Sequence, residues 1–231
     1  MRSITRLLSL CLFGLISIAT WAYDFTVENK DGVTIYYNIT SSSSPKTVEV
    51  TNGGSIYSSV YTEDSINIPN TVTYDGNTYE VTGVGEYAFK SARHVKSITL
   101  PKCLMRIGDC AFQFCDSLTS VTIPNSVESI GRAAFAYCSG LTSITIPNSV
   151  ESIGPGAFRG CSGLTSVTIP NSVTSIGESA FAGCTGLTSA TIGNSVTSIG
   201  ETAFNFCKGL TSITIPNSVE SIGRAAFYGC I

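Results

Sequence analysis

The chain has 231 residues, 43% of them hydrophobic and 13% charged, a composition that fills one large core or two ordinary ones and excludes a disordered tail. A formal net charge of −3 and a single histidine leave no basic field to hold a phosphate backbone, so nucleic acid is excluded as the expected partner.

Residues 1–22, MRSITRLLSLCLFGLISIATWA, carry two arginines, an apolar run from Leu7 to Ile18, and small residues at Thr20 and Ala22. This pattern predicts an export signal that is removed, with a retained anchor helix as the alternative. The run is too short to span a bilayer, so no transmembrane segment is expected in the mature chain. Cys11 follows Leu10 inside the apolar run, which argues against a lipid anchor there. A secreted or cell-surface location follows from the export reading.

Residues 23–79 precede the regular repeats. Phe25 and Val27 alternate before a DG turn, and Val33, Ile35, Tyr37 and Ile39 alternate after it, which predicts a hairpin. KTVEVT, from Lys46, predicts another strand. Ile66, Ile68 and Pro69 fit the strand end of an earlier coil, and Thr71 to Tyr79 reads as an inserted hairpin turning at Asp75 and Gly76. The region is predicted to cap the first coil, with a separate small domain as the alternative.

From residue 80 to residue 231 one phrase recurs. Full units begin at Glu80, Cys103, Ser126, Ser149, Ser172 and Ser195, and a truncated seventh begins at Ser218, always with a 23-residue step and no insertion. A constant step means stacked coils, because each buried side chain must lie over its counterpart. In one unit, Leu141, Ile144 and Ile146 form a period-two strand that Pro147 and Asn148 end. Val127 and Ile130 point inward from a second extended stretch, and Gly131 turns the corner. RAAFAY then suits about one turn of helix before the return at Ser139 and Gly140.

One such unit cannot close a core, so its neighbours must cover it, with parallel strands about 4.8 Å apart. The predicted fold is an α/β-type, β-rich solenoid, its parallel sheet built on the LTSITIP strands and preceded by a small antiparallel β cap. That sheet is expected to stop near Ile213 and Ile215 with an open edge, a place for end-to-end association. In the coil from Ser172 to Asn194, Ala190 replaces Ile or Val and Gly193 replaces Pro. That coil is expected to be the least well packed.

The phrases IGxxAFxxC, GLTSITIP and NSVxSIG resemble the leucine-rich repeats of the BspA-like surface-protein family, over residues 80–231. The resemblance implies a right-handed superhelix, a protein-binding surface, and adhesion to extracellular-matrix proteins of a host or to other cells. It implies no cofactor and no enzymatic activity. The alternative is a structural or interaction module of a larger surface assembly without host binding.

Several residue sets invite chemistry. Cys115, Cys138, Cys161, Cys184, Cys207 and Cys230 recur once per coil, which makes a ladder and not the convergent cluster a metal needs. Parallel side chains hold their Cβ atoms too far apart for a comfortable disulfide, so buried thiols are expected. Cys103 and Cys110 lie outside the ladder and are the pair most open to oxidation. His94 lies among Lys90, Arg93, Lys96, Lys102 and Arg106 without a carboxylate to organise it as a base, and reads as a solvated residue in a basic patch.

Glu128 with Glu151, and Glu178 with Glu201, hold equivalent places in adjacent coils and read as exposed like charges; an opposed pair in a cleft would instead suggest a carbohydrate-active enzyme. No GxSxG nucleophile motif is present. No catalytic, cofactor or metal residue is therefore assigned. The candidate binding surface comprises Phe114, Tyr137 and Phe206 at one variable place, Arg159 at the place before it, and Thr145, Thr168 and Thr191 on the outward strand face.

Overall fold

The computed structural model describes residues 23–54 and 59–230; the export signal read in residues 1–22 lies outside the described residues. Strands β1 (Phe25–Glu28), β2 (Thr34–Ser41) and β3 (Thr47–Thr51) form an antiparallel meander. β4 (Ser65–Asn67) precedes a hairpin of β5 (Thr71–Tyr74) and β6 (Asn77–Val84). Asp75 and Gly76 both take positive φ between β5 and β6, as a primed two-residue turn requires. β3 pairs in parallel with β6, and β6 with Arg106–Ile107, so one eleven-stranded sheet runs from the meander into the coils.

Phe25, Tyr37, Tyr74 and Tyr79 fill the space beneath this sheet, with the Phe25 and Tyr74 rings stacked at 4.2 Å. Tyr61, whose hydroxyl donates to the Thr51 carbonyl, packs its ring 4.6 Å from Phe89. It joins this aromatic cluster to the solenoid core.

Each coil adds one short parallel step to the long sheet: Ser129–Ile130, Ser152–Ile153, Ser175–Ile176, Ser198–Ile199 and Ser221–Ile222. This corrects the expected placement of the sheet. The continuous ladder runs through the SIG stretches, whereas the LTSITIP stretches pair in separate pieces. Those pieces are β4 with Ser97–Thr99 and Ser120–Val121, a single bridge from Thr122 to Thr145, and Ser166–Ile169 with Ser189–Ile192. Residues 211–216, the expected end of the sheet, are not a strand.

Thr142, Thr165 and Thr188 each donate a side-chain hydroxyl to a carbonyl of the preceding coil that also accepts the same residue's N–H, which ties these stretches together from coil to coil whether or not a ladder follows. The coil from Ser172 to Asn194 keeps its strand despite Ala190 and Gly193. Its strand is paired over all four residues, from Ser189 to Ile192, and Ala190 is half-buried where Val167 is buried.

The expected helical turn is absent. Among the described residues there is no α-helix, and the RAAFAY stretch is a series of tight turns. Ala133 and Tyr137 take φ of 50° and 61°, and the equivalent places in the other coils are also left-handed. A left-handed residue every fourth position ends a helix before it closes. The freed N–H groups of Ala133, Phe135 and Tyr137 donate forward to Pro155, Ala157 and Arg159 at 2.9, 2.7 and 2.6 Å. On the straight side, Glu128 and Gly131 donate back to Met105 and Ile107. Each coil is thus bound to its neighbours in both directions, which no isolated helical turn permits.

Phe89, Phe112, Phe135, Phe158, Phe181, Phe204 and Phe227 form one interior column, with successive centroids 5.0 to 5.5 Å apart and rings within 11° of parallel. Beside it, Cys115, Cys138, Cys161, Cys184 and Cys207 are buried free thiols. Each donates its S–H to the phenylalanine carbonyl of the preceding coil, for example Cys161 to Phe135 at 3.1 Å. Burial pushes the thiols of Cys161 and Cys207 up to about 12. The repeat thus uses cysteine for a directed bond as well as for its volume.

Candidate functional site

Two exposed surfaces run along the solenoid, and they differ in kind. On the outward strand face, Ser143, Thr145, Ser166, Thr168, Ser189 and Thr191 are all exposed, and Thr168 sits directly opposite Thr191 in register. From Leu118 onward the strand stretches carry no charge and no outward aromatic ring. Such a face resembles bulk water in its hydrogen bonding, so covering it gains little. The three threonines are exposed as expected, yet nothing distinguishes one coil from the next.

The corner face is irregular. Phe114 and Tyr137 stack at 5.0 Å, and the Arg159 guanidinium lies 5.9 Å from the Tyr137 ring centroid. Tyr137 is 37% exposed and Phe206 47%, whereas Phe114 is half-buried. Phe206 meets Tyr228 edge-on at 5.5 Å. Phe114, Tyr137 and Phe206 occupy a left-handed backbone place with φ of 62°, 61° and 55°, where Gly160, Gly183 and Gly229 stand in other coils. Each of these aromatic residues costs about 1–2 kcal/mol more in that conformation than glycine does.

The neighbouring glycines explain how the rings fit. A Cβ on Gly160 would lie 2.5 Å from Cδ1 of Tyr137, and one on Gly229 would lie 2.6 Å from Cδ1 of Phe206. The rings therefore lean into the space that the next coil leaves empty. The structure brings Phe114, Tyr137 and Arg159 together, and places Phe206 farther along the same column.

A shallow open groove of about 320 Å³ adjoins Tyr137 and Arg159. Its other walls include Gln113, Arg132, Pro155 and Glu178. Of these four, only Glu178 stands out in the sequence, among the exposed acids, and its spacing joins it to no site. The departure from the repeat at Pro155 and Gly156 was the available signal.

The basic patch around His94 is largely neutralised. Arg93 pairs with Asp116 at 3.6 Å, Lys96 with Asp64 at 2.7 Å, and Arg106 with Glu49, while His94 is exposed. Glu128 and Glu151 sit in register on adjacent coils, both exposed. Cys103 and Cys110 are half-buried free thiols, each held above the usual thiol range by burial. Among the described residues no group of three metal-ligating side chains converges, and no helix is long and apolar enough to cross a membrane.

Regular coils joined by in-register phenylalanines and cysteines agree with a match to the BspA type leucine-rich repeat region, six copies over residues 82–208 and 128–231. The chain belongs to this family. The BspA-type repeats here resemble those of a leucine-rich cell surface protein from Faecalibacterium prausnitzii, at 32% identity and a TM-score of 0.72. That match covers 89% of this chain and 52% of the other. A leucine-rich repeat protein from Bacteroides ovatus matches at 32% identity and a TM-score of 0.67, covering 87% of this chain and 55% of that one. The T. pallidum leucine-rich repeat protein matches at 27% identity and a TM-score of 0.74, over 84% of this chain and 86% of its own. The chain thus spans about half the length of the first two relatives. No curated protein matches the sequence at a comparable level. Family and fold together are those of a protein-interaction repeat module.

Proposed function

We propose that this BspA-type repeat protein is exported and acts at the cell surface or outside the cell, binding macromolecular partners through its corner face. The partners are matrix proteins of a host or proteins of another cell. The observation that carries this reading is the placement of Phe114, Tyr137 and Phe206 on the corner face, Tyr137 and Phe206 exposed, at a backbone place where glycine would be relaxed. Aromatic residues with arginine beside them are the residue types that anchor interfaces. The location is supported by the export pattern of residues 1–22 and by a structural relative described as a cell surface protein. The reading is non-enzymatic, because the paired carboxylates lie side by side on open faces rather than opposed across a cleft.

The test is capture of purified matrix proteins by the mature chain, compared with Tyr137→Ala and Phe206→Ala. Binding that falls at least tenfold in these variants, and not in Thr168→Val, supports the corner face. Absence of binding to any matrix protein or cell surface favours the alternative, a structural module within a larger assembly.

A further inference from the structure

The aromatic column on the corner face has a gap. Phe114, Tyr137 and Phe206 belong to it, and Gly160 and Gly183 stand between the last two. The rings lean the same way along the solenoid. Phe114 stacks on Tyr137 at 5.0 Å and 11°, the Tyr137 ring lies over Gly160, and the Phe206 ring lies over Gly229. The Tyr137 and Phe206 rings, each seated over a glycine, are therefore three coil steps apart, about 14 Å at roughly 4.8 Å per step.

That interval has room for two more planar groups at aromatic centroid spacings of about 4.5–5 Å. Arg159 supplies one of them, its guanidinium lying over the Tyr137 ring at 5.9 Å. Beneath the other layer lie Ala182 and Gly183, both half-exposed. A Cβ added at Gly183 would meet nothing nearer than the Gly160 backbone at 3.8 Å, whereas those added at Gly160 and Gly229 would strike a ring. Gly183 is thus the glycine of this stretch that no ring of the chain itself covers.

The two walls of the open layer are both available. Phe206 is 47% exposed and leans toward Gly229, where Tyr228 meets it edge-on, so its other face turns to the space above Gly183. Arg159 is exposed and takes part in none of the four ion pairs among the described residues. A guanidinium and a phenyl ring each take a flat π-system on their faces. The guanidinium edge only donates, and a peptide carbonyl only accepts. These walls therefore suit an aromatic side chain carried on a polypeptide, and the contact of Phe114 with Tyr137 is the one such a ring would make with Phe206.

We propose that a protein partner inserts one aromatic side chain into the layer above Gly183, between the Arg159 guanidinium and the Phe206 ring, with Arg159 donating to carbonyls of the partner's main chain. The proposal rests on the protein-binding reading of the corner face and names the anchor that face takes.

The test is selection of random displayed dodecapeptides on the immobilised full chain, followed by titration of synthetic copies of the enriched peptides. Gly183→Phe fills the layer from within, using a residue that Phe114 and Phe206 show the column accepts in the same left-handed conformation. The enriched peptides should share an aromatic residue, and its replacement by alanine should lower affinity about tenfold or more. Gly183→Phe should lower it to the same extent, Phe206→Ala and Arg159→Ala by about threefold or more, and Ser166→Ala not at all. Phe206→Ala decides the matter if Gly183→Phe folds poorly. Undiminished binding to Gly183→Phe would overturn the proposal, as would enriched peptides that need no aromatic residue, or the absence of any enrichment. Capture of matrix proteins separates this from the broader reading. Capture lost in Tyr137→Ala and Phe206→Ala but kept in Gly183→Phe removes the anchor and leaves the corner face as the interface. Aromatic peptides bound at Gly183 without any matrix capture support the anchor and remove the matrix partners.

Discussion

The interior phenylalanine column and the aromatic column on the corner face share one 23-residue spacing, yet they follow different rules. Inside, Phe89 to Phe204 are fully buried and stack at every step without interruption. Outside, Phe114 and Tyr137 are followed by Gly160 and Gly183 before Phe206 resumes the column. The inner position constrains the side chain, because a close-packed interior tolerates neither void nor excess. The outer position constrains the backbone, which must be left-handed, and leaves the side chain open to variation.

That contrast can be broken most severely from within. Phe158→Ala opens a cavity between two stacked rings, and the unfolding free energy should drop by about 3–5 kcal/mol, measured by denaturant titration. Tyr137→Ala, at the same spacing on the outside, should cost far less. Comparable losses would erase the distinction.

The thiol ladder supplies a second contrast through pH. Cys161 and Cys207 titrate near 12 when folded, against an ordinary value of 9.0. Below pH 9 both states are protonated and the stability is fully present. Above it the unfolded chain loses protons first, so stability declines as pH rises toward 12. Each such thiol contributes a slope of about 1.4 kcal/mol per pH unit, and because burial raises Cys138 and Cys184 as well, Cys161→Ala with Cys207→Ala should reduce the slope in thermal scans without abolishing it. Cys230, expected to be buried, is half-buried like Cys103 and Cys110, so alkylation of the folded chain should reach these three well before Cys115, Cys138, Cys161, Cys184 and Cys207.

A smaller effect tests the outer rule. Gly160→Ala places a Cβ against the Tyr137 ring at a left-handed residue, and should destabilise by about 1–2 kcal/mol. Combining it with Tyr137→Gly should recover part of that loss, since the ring that collides is gone. The smallest effect is Ala190→Val, at a half-buried site in a fully paired strand. A gain of about 0.5–1 kcal/mol is expected, read as a higher melting temperature.

How much was legible follows the same division. The phenylalanine and cysteine columns, the burial of Leu141, Ile144 and Ile146, and the Asp75–Gly76 turn can all be read from spacing and residue type, although the strand expected through Leu141, Ile144 and Ile146 is reduced to a single bridge at Thr145. The RAAFAY stretch has the composition of a helical turn, while its left-handed residues are alanine and tyrosine and carry no glycine to announce the turns that replace it. Of the candidate site, Phe114, Tyr137, Phe206 and Arg159 stood out as variable places in a constant frame. Arg132 and Glu178 did not join them, because they lie 46 residues apart in the chain.

By itself the amino-acid sequence determined the coil length, the stacking and the buried columns, since a strict period leaves each apolar residue only its counterpart to pack against. Only the tertiary structure decided which stretch carries the continuous sheet and which way the corner N–H groups point. It alone decided that Tyr137 leans over Gly160 beside a groove opened at Pro155 and Gly156. Those features depend on backbone torsion and on contacts between neighbouring coils, and neither is written in the identity of any single residue.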